Sequence, residues 1–158
     1  MNAADRAPMR FPWPPLILLS AVALAIILGT FVPLPWLRGP FAEFLTGLGA
    51  LVALGGFALV VLSIVRFRKV RTPVAPNAVA QRLVTDGPFA ISRNPIYLGS
   101  VTILVALAFV TGNLWFIAFG FAAGLLIGAV AIHPEERHLE QRFGKAYRDY
   151  SKRVRRWF

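Results

Sequence analysis

The stretch Leu114-Trp-Phe-Ile-Ala-Phe-Gly-Phe-Ala-Ala-Gly-Leu-Leu-Ile-Gly-Ala-Val-Ala-Ile132 carries no ionisable side chain. It is long enough to cross a bilayer core, which takes roughly 17–25 residues of helix. A helix buried in a soluble bundle shows polar positions at a 3.6-residue period, and none recur here. Outward from this stretch, Leu16–Val32 and the run from about Phe44 to Val65 are also uncharged and of spanning length. Ile96–Thr111 is apolar but short; it spans only with help from its neighbours or by drawing in Arg93–Pro95. Gly112-Asn113 is a turn signal, so the third and fourth stretches read as a tight helical hairpin. The expectation is an all-α integral membrane protein with four transmembrane helices (about 16–32, 44–65, 96–111 and 114–132) and a C-terminal amphipathic cytoplasmic helix.

Composition agrees. The 158 residues suffice for one compact unit, and they are 57% hydrophobic and 15% charged. Soluble domains run nearer 45–50% apolar and about 25% charged, so an ordinary soluble globule is excluded, as is a disordered chain. The absence of cysteine removes disulfides, thiolate nucleophiles and Cys-based zinc sites. Two histidines argue against a multi-His metal centre, and no metal is expected. A cleaved signal peptide at residues 1–30 is disfavoured, because no small-residue cleavage pattern follows Leu28 and three further spans come after. Gly120, Gly124 and Gly128 give the fourth stretch a smooth strip suited to close helix packing.

The net charge of +10 would suggest nucleic acid in a soluble protein. Here its distribution gives another reading. Arg6 and Arg10 precede the first span. Arg66, Arg68, Lys69, Arg71, Arg82 and Arg93 lie between spans two and three. Arg137, Arg142, Lys145, Arg148, Lys152, Arg153, Arg155 and Arg156 follow span four, and only Arg38 falls on the other side. The positive-inside rule places both termini and the middle loop in the cytoplasm, with no nucleic-acid partner required.

Two polar segments carry chemistry. In the loop from Thr72 to Tyr97, Pro73, Pro76, Pro88 and Pro95 break any long helix, and Pro95 should hold Asn94 in β or polyproline geometry. Arg93 and Asn94 would then project at the membrane surface, with Tyr97 one turn into the next helix. The tail, expected as one helix over 134–154, opens on His133-Pro-Glu-Glu-Arg-His138. Pro134 suits a first helical position, and Glu135 and Glu136 suit a first turn. Leu139, Phe143, Tyr147, Tyr150, Val154 and Trp157 recur on one helical face, a pattern suited to lying on an anionic leaflet. If the hairpin forms, Arg93, Asn94, Tyr97, Glu135 and Glu136 meet at one rim. By geometry alone this is equally a structural ion-pair cluster or a grip for a zwitterionic ligand.

Four ordered blocks carry a resemblance: Leu83-Val84-Thr85-x-Gly87-Pro88-Phe89, Ser92-Arg93-Asn94-Pro95-Ile96-Tyr97-Leu98-Gly99, Glu135-Glu136-x-x-Leu139 and Phe143-Gly144-x-x-Tyr147-x-x-Tyr150. Over residues 72 to about 154 they resemble the isoprenylcysteine carboxyl methyltransferase family, whose wider group includes membrane phospholipid methyltransferases. The resemblance implies a bilayer-embedded enzyme that uses S-adenosyl-L-methionine, entering from the cytoplasm. It implies cofactor contacts from Gln81, Arg82, Leu83 and Val84, from Phe89, from Asn94, Pro95, Ile96 and Tyr97, and from Glu135 and Glu136. It sets Arg93 and Tyr97 beside the reaction centre. An arginine suits the cofactor's carboxylate and an acid its ammonium, while a tyrosine ring can face a sulfonium.

Two positions depart from the family. Asn94 stands where histidine is common and cannot titrate. Ala131 stands where the eukaryotic enzymes carry a substrate-linked arginine. The expected activity is methyl transfer to a lipophilic acceptor reaching the site from the bilayer, isoprenylcysteine carboxylate-like or another membrane small molecule. The alternatives are a phospholipid amine acceptor, a membrane reductase of the steroid-reductase type, or a non-enzymatic adaptor whose tail binds lipid.

Overall fold

The computed structural model describes residue 11, residues 13–72 and residues 81–158. Helix α1 spans Trp13–Phe31, α2 Pro40–Lys69, α3 Pro95–Thr111 and α4 Trp115–Ile127. Each apolar stretch has thus become a helix. Helix α2 runs past the expected 44–65 at both ends, for local reasons. Pro40 sits in its first turn, where a missing N–H costs nothing, and Glu43 follows in that turn. Arg66, Arg68 and Lys69, expected in the loop, instead form its last turn, where cations meet the negative end of the helix dipole.

Among the described residues, α1, α2 and the unbroken helix Trp115–Phe143 are long and apolar enough to cross a membrane. The protein is accordingly an integral membrane protein. Helix α3, with 17 residues, reaches only about 25 Å at 1.5 Å per residue. It packs against both α2 and α4, and α1 packs against α4 and shares a core with α3 through Ala21, Ala25, Leu104 and Ala108.

Helix α2 buries only Gly49, Gly56 and Ser63, a small-residue stripe with a strict seven-residue spacing. Lipid gives no hydrophobic reward for pairing helices, so close backbone approach has to supply the attraction. The approach to α3 is close. A methyl group on Gly99 would stand 2.5 Å from the Gly56 carbonyl oxygen, and one on Gly56 would stand 2.9 Å from that of Gly99. Ser63 turns its hydroxyl back onto the Leu59 carbonyl at 2.6 Å, so its polar atom is satisfied within the helix.

The expected glycine strip of α4 serves only partly. Gly120 sits against Val105 and Gly124 in ordinary contact with Val101, but Gly128 has no neighbour within 4 Å of where a Cβ would lie. The α3–α4 hairpin forms as expected. Gly112 takes the left-handed conformation, φ 70°. Asn113 caps the Trp115 N–H at 3.1 Å and donates to the Ala25 carbonyl at 2.8 Å, which ties the hairpin tip to α1.

The tail departs from the single helix expected over 134–154. Helix α4 continues through a π turn, Gly128–Ile132, into α5, His133–Phe143. Gly144, at φ 51° and ψ −120°, then breaks the chain before α6, Lys145–Arg153. That conformation is open essentially to glycine alone. The aromatic face does not lie on a leaflet either. Tyr147 and Tyr150 are buried, and Trp157 packs on Ile127, Ala131 and Ile132, because the protein's own polar end offers these rings a drier surface.

Gly99→Ala should therefore lower stability by about 1–3 kcal/mol through overpacking. Gly55→Ala, one position from the seam and with open space around it, should be neutral or stabilising by up to about 1 kcal/mol. Thermal unfolding of the two variants in one detergent measures the difference.

Candidate active site

Pro95 opens α3, and Asn94 before it avoids the helical region that proline disfavours, but at φ −132°, ψ 54° it does not take the expected β or polyproline geometry. Its side chain does not project outward. Asn94 is buried and its Nδ2 donates to the Arg156 carbonyl at 3.2 Å. The Ser92 hydroxyl donates to the same carbonyl at 3.1 Å and accepts the Asn94 N–H at 3.1 Å. The Arg93 N–H donates to the Arg155 carbonyl at 3.0 Å. The extended C-terminal strap after α6 is thereby laced to the entry of α3.

The acidic pair arrives from the opposite side. Pro134 has no N–H, and in a regular α-helix its ring would collide with the carbonyl four residues earlier. The π turn absorbs this misfit, with the His133 N–H reaching the Gly128 carbonyl and the His133 ring Nδ1 also against that oxygen. π turns of this kind often mark functional sites. Since the helix is continuous, Glu135 and Glu136 do not occupy a free helix N-terminus, and the dipole argument for them lapses.

Glu136 accepts a bidentate pair from Arg156, Nε at 3.1 Å and Nη2 at 2.7 Å. It also meets Arg93 Nη1 at 3.2 Å. The Arg93 and Glu136 side chains are only 16% and 15% exposed, so this is a partly desolvated network rather than a surface pair. Arg93 Nη1 donates to the Tyr147 hydroxyl at 3.3 Å, and Arg156 Nη1 lies 3.2 Å from His133 Nε2. Neither Arg156 nor Tyr147 was singled out as a site residue from the sequence. Arg156 sits in a run of basic residues where nothing marks one from another.

Glu135 differs from its neighbour. It is half-buried, and among the described residues no cation offsets it. Burial first, and the Glu136 charge second, push its carboxyl up to about 7. Tyr97 packs against Ile127, Ala131 and Ile132, close enough for the Glu135 charge to act on its hydroxyl. Arg93 Nε is buried without a hydrogen-bond partner. A lone half-buried acid, an arginine with an unused donor and a phenol together complement a small zwitterion. Glu136, by contrast, is occupied by its two arginines.

The other expected residues fall around this centre. Phe89 is buried, stacked on Phe67 with ring centroids 4.7 Å apart, and its carbonyl accepts the Tyr150 hydroxyl at 2.6 Å. Val84 and Pro95 are buried, Leu83 and Ile96 half-buried, and Gln81 and Arg82 exposed. The first part of the expected cofactor loop, 73–80, lies outside the described residues.

No curated protein and no solved structure matches the chain. A family model, phospholipid methyltransferase, matches residues 44–146, from the first turn of α2 into α6. That match covers more than half of the chain and takes in Arg93, Tyr97, Glu135 and Glu136. It lies in the wider group to which the four sequence blocks pointed, and with it the chain belongs to the phospholipid methyltransferase family, as an integral membrane methyltransferase.

Proposed function

We propose that this methyltransferase moves a methyl group from S-adenosyl-L-methionine to a lipophilic acceptor delivered by the bilayer. The observation that carries the reading is the cluster where α3 begins: Arg93 is paired with Glu136, and Tyr97 lies within electrostatic reach of the adjacent Glu135, for which no cation partner is found among the described residues. The cofactor, when bound, supplies an electrophilic methyl on a positively charged sulfur. Glu135 holds the ammonium, Arg93 the carboxylate through its free Nε, and the Tyr97 ring the sulfonium side. Gln81, Arg82, Leu83, Val84, Phe89, Asn94, Pro95 and Ile96 line the remainder.

Transfer is an in-line displacement. The carbon–sulfur bond breaks with its electron pair going to sulfur, while a bond forms from the acceptor heteroatom. No covalent enzyme intermediate is needed, so the side chains act by holding donor and acceptor in line and excluding water. The family match favours a phospholipid amine as one acceptor, which would release a proton on methylation. We place the termini and the Arg66–Lys69 turn in the cytoplasm, where the one-sided charge puts them, with α3 completing a fourth crossing inside the bundle.

Cofactor binding to the purified protein in detergent tests the reading. The parent should bind S-adenosyl-L-methionine. Glu135→Gln should bind it at least about tenfold more weakly, the scale of a charge-assisted contact, with its melting temperature retained. Failure of the parent to bind would overturn the cofactor assignment. Glu136→Gln should behave differently, losing about 1–3 kcal/mol of stability as two arginines lose their shared partner.

The pH dependence has a defined sign. An ammonium binds the ionised carboxylate, so affinity should rise as pH goes from about 5.5 to about 7.5, and the rise should flatten in Glu135→Gln. Stability runs the other way. The folded chain binds the Glu135 proton more tightly than the unfolded chain does, so its contribution declines as pH climbs from 4.5 through about 7. Binding isotherms and melting curves across this range check both slopes.

A further inference from the structure

A second feature lies apart from Arg93, Tyr97 and Glu135, none of which lines it. On the outer face of α2, Leu59, Leu62 and Val65 form one wall of an open groove of about 450 Å³. Pro88 and Ile91, from the 3₁₀ turn Gly87–Ala90 and the residue after it, form the other wall. Arg66 and Lys69 close one end. Ile91 is 68% exposed and Leu62 56% exposed, so the groove is an apolar surface without a protein partner among the described residues.

Its dimensions fit one occupant. Leu59 to Lys69 is ten helical steps, about 15 Å at 1.5 Å per residue. That is half of a hydrocarbon core roughly 30 Å thick, the depth of one acyl chain in one leaflet. The apolar wall ends at two cations in the last turn of α2, where a headgroup phosphate would meet them. Arg66 is held by Asp86, Nε to Oδ1 at 2.6 Å, so its charge is partly offset. Lys69 has no such pairing among the described residues, and it supplies the uncompensated positive charge.

We propose that this groove is a binding site for an anionic glycerophospholipid of the leaflet in which α2 ends, with one acyl chain between α2 and the 3₁₀ turn and the phosphate on Lys69 and Arg66. The site holds independently of the methyl-transfer reading. Its selectivity is for headgroup charge, set by Lys69, and its affinity comes from the apolar wall.

Native mass spectrometry of the full-length protein, released from micelles containing equal phosphatidylglycerol and phosphatidylcholine, tests this. The parent should retain phosphatidylglycerol in preference, and Lys69→Gln should reduce that preference about fivefold, the effect of one lysine at a charged leaflet. Leu62→Trp, which fills the groove from a lipid-facing position, should reduce retention of both lipids. Equal retention of the two lipids by the parent would overturn the proposal. So would a preference that survives Lys69→Gln but falls in Lys145→Gln/Lys152→Gln, which would place the lipid on the tail. Both single substitutions are at exposed positions, and unchanged circular dichroism confirms that the fold is intact.

Discussion

Glu136 and its two arginines hold the polar end of this molecule together. The carboxylate stands on α5, Arg93 stands just before α3, and Arg156 stands on the C-terminal strap. Three segments far apart in sequence are therefore fixed on one acid. The network is partly desolvated, which makes removal of any single member more damaging than loss of a surface pair. The backbone reinforces it, since the strap carbonyls of Arg155 and Arg156 accept from Arg93 N–H, Ser92 and Asn94. With Glu136 fully engaged, Glu135 is left as the acid available to something else. The chain thus places two adjacent, chemically identical side chains in different settings: Glu136 paired with two arginines, and Glu135 with no cation partner among the described residues.

That division depends on the π turn. Were α4 to end at Ile132 and a new helix to begin at Pro134, the two acids would sit on a free terminus and their direction would depend on a flexible joint. Instead one rigid helix carries the apolar stretch and the acids together, and an extra residue in the turn re-aims the side chains that follow it. Its 29 residues extend about 43 Å, more than the roughly 30 Å hydrocarbon core. Glu135, Glu136 and His138 lie beyond its apolar stretch, which ends at Ile132, in the part that the hydrocarbon core need not accommodate.

The membrane helices were legible because their signal is carried by composition over long windows, which local detail does not disturb. The hairpin was legible because Gly112-Asn113 has a single stereochemical use there. The tail reads as one helix because its apolar face stays in step across Gly144: the glycine signals a local weakening, but not that the helix breaks there into α5 and α6. The seam of Gly49, Gly56 and Ser63 was present in the sequence as a seven-residue repeat, but it is hidden among other glycines and alanines until α3 is seen beside it. Arg156 had no local signal at all. Its role comes from contact with residues more than sixty positions away in the case of Ser92 and Asn94, and a basic tail looks the same whichever arginine makes that contact. Asn94 was placed correctly at the entry of α3 but given the wrong direction, since proline restricts the backbone of its neighbour and not the side chain.

The position of the cluster explains why a methyltransferase of this kind needs little catalytic machinery. A water-soluble donor and a membrane-soluble acceptor share no common solvent, so bringing them together is the larger problem. Under the proposed function, a helix that leaves the apolar stretch with Glu135 about one turn beyond it would offer a charged grip at the boundary between the two media. The tyrosine stands in the first turn of α3 and the arginine just before it, where Pro95 and the strap pin the start of the helix. Under the proposed function the bilayer would act as part of the site, fixing the height at which an acceptor headgroup stands relative to Glu135, Tyr97 and Arg93. The protein has only to hold those three groups rigid, which is what the Glu136 network and the glycine seam accomplish.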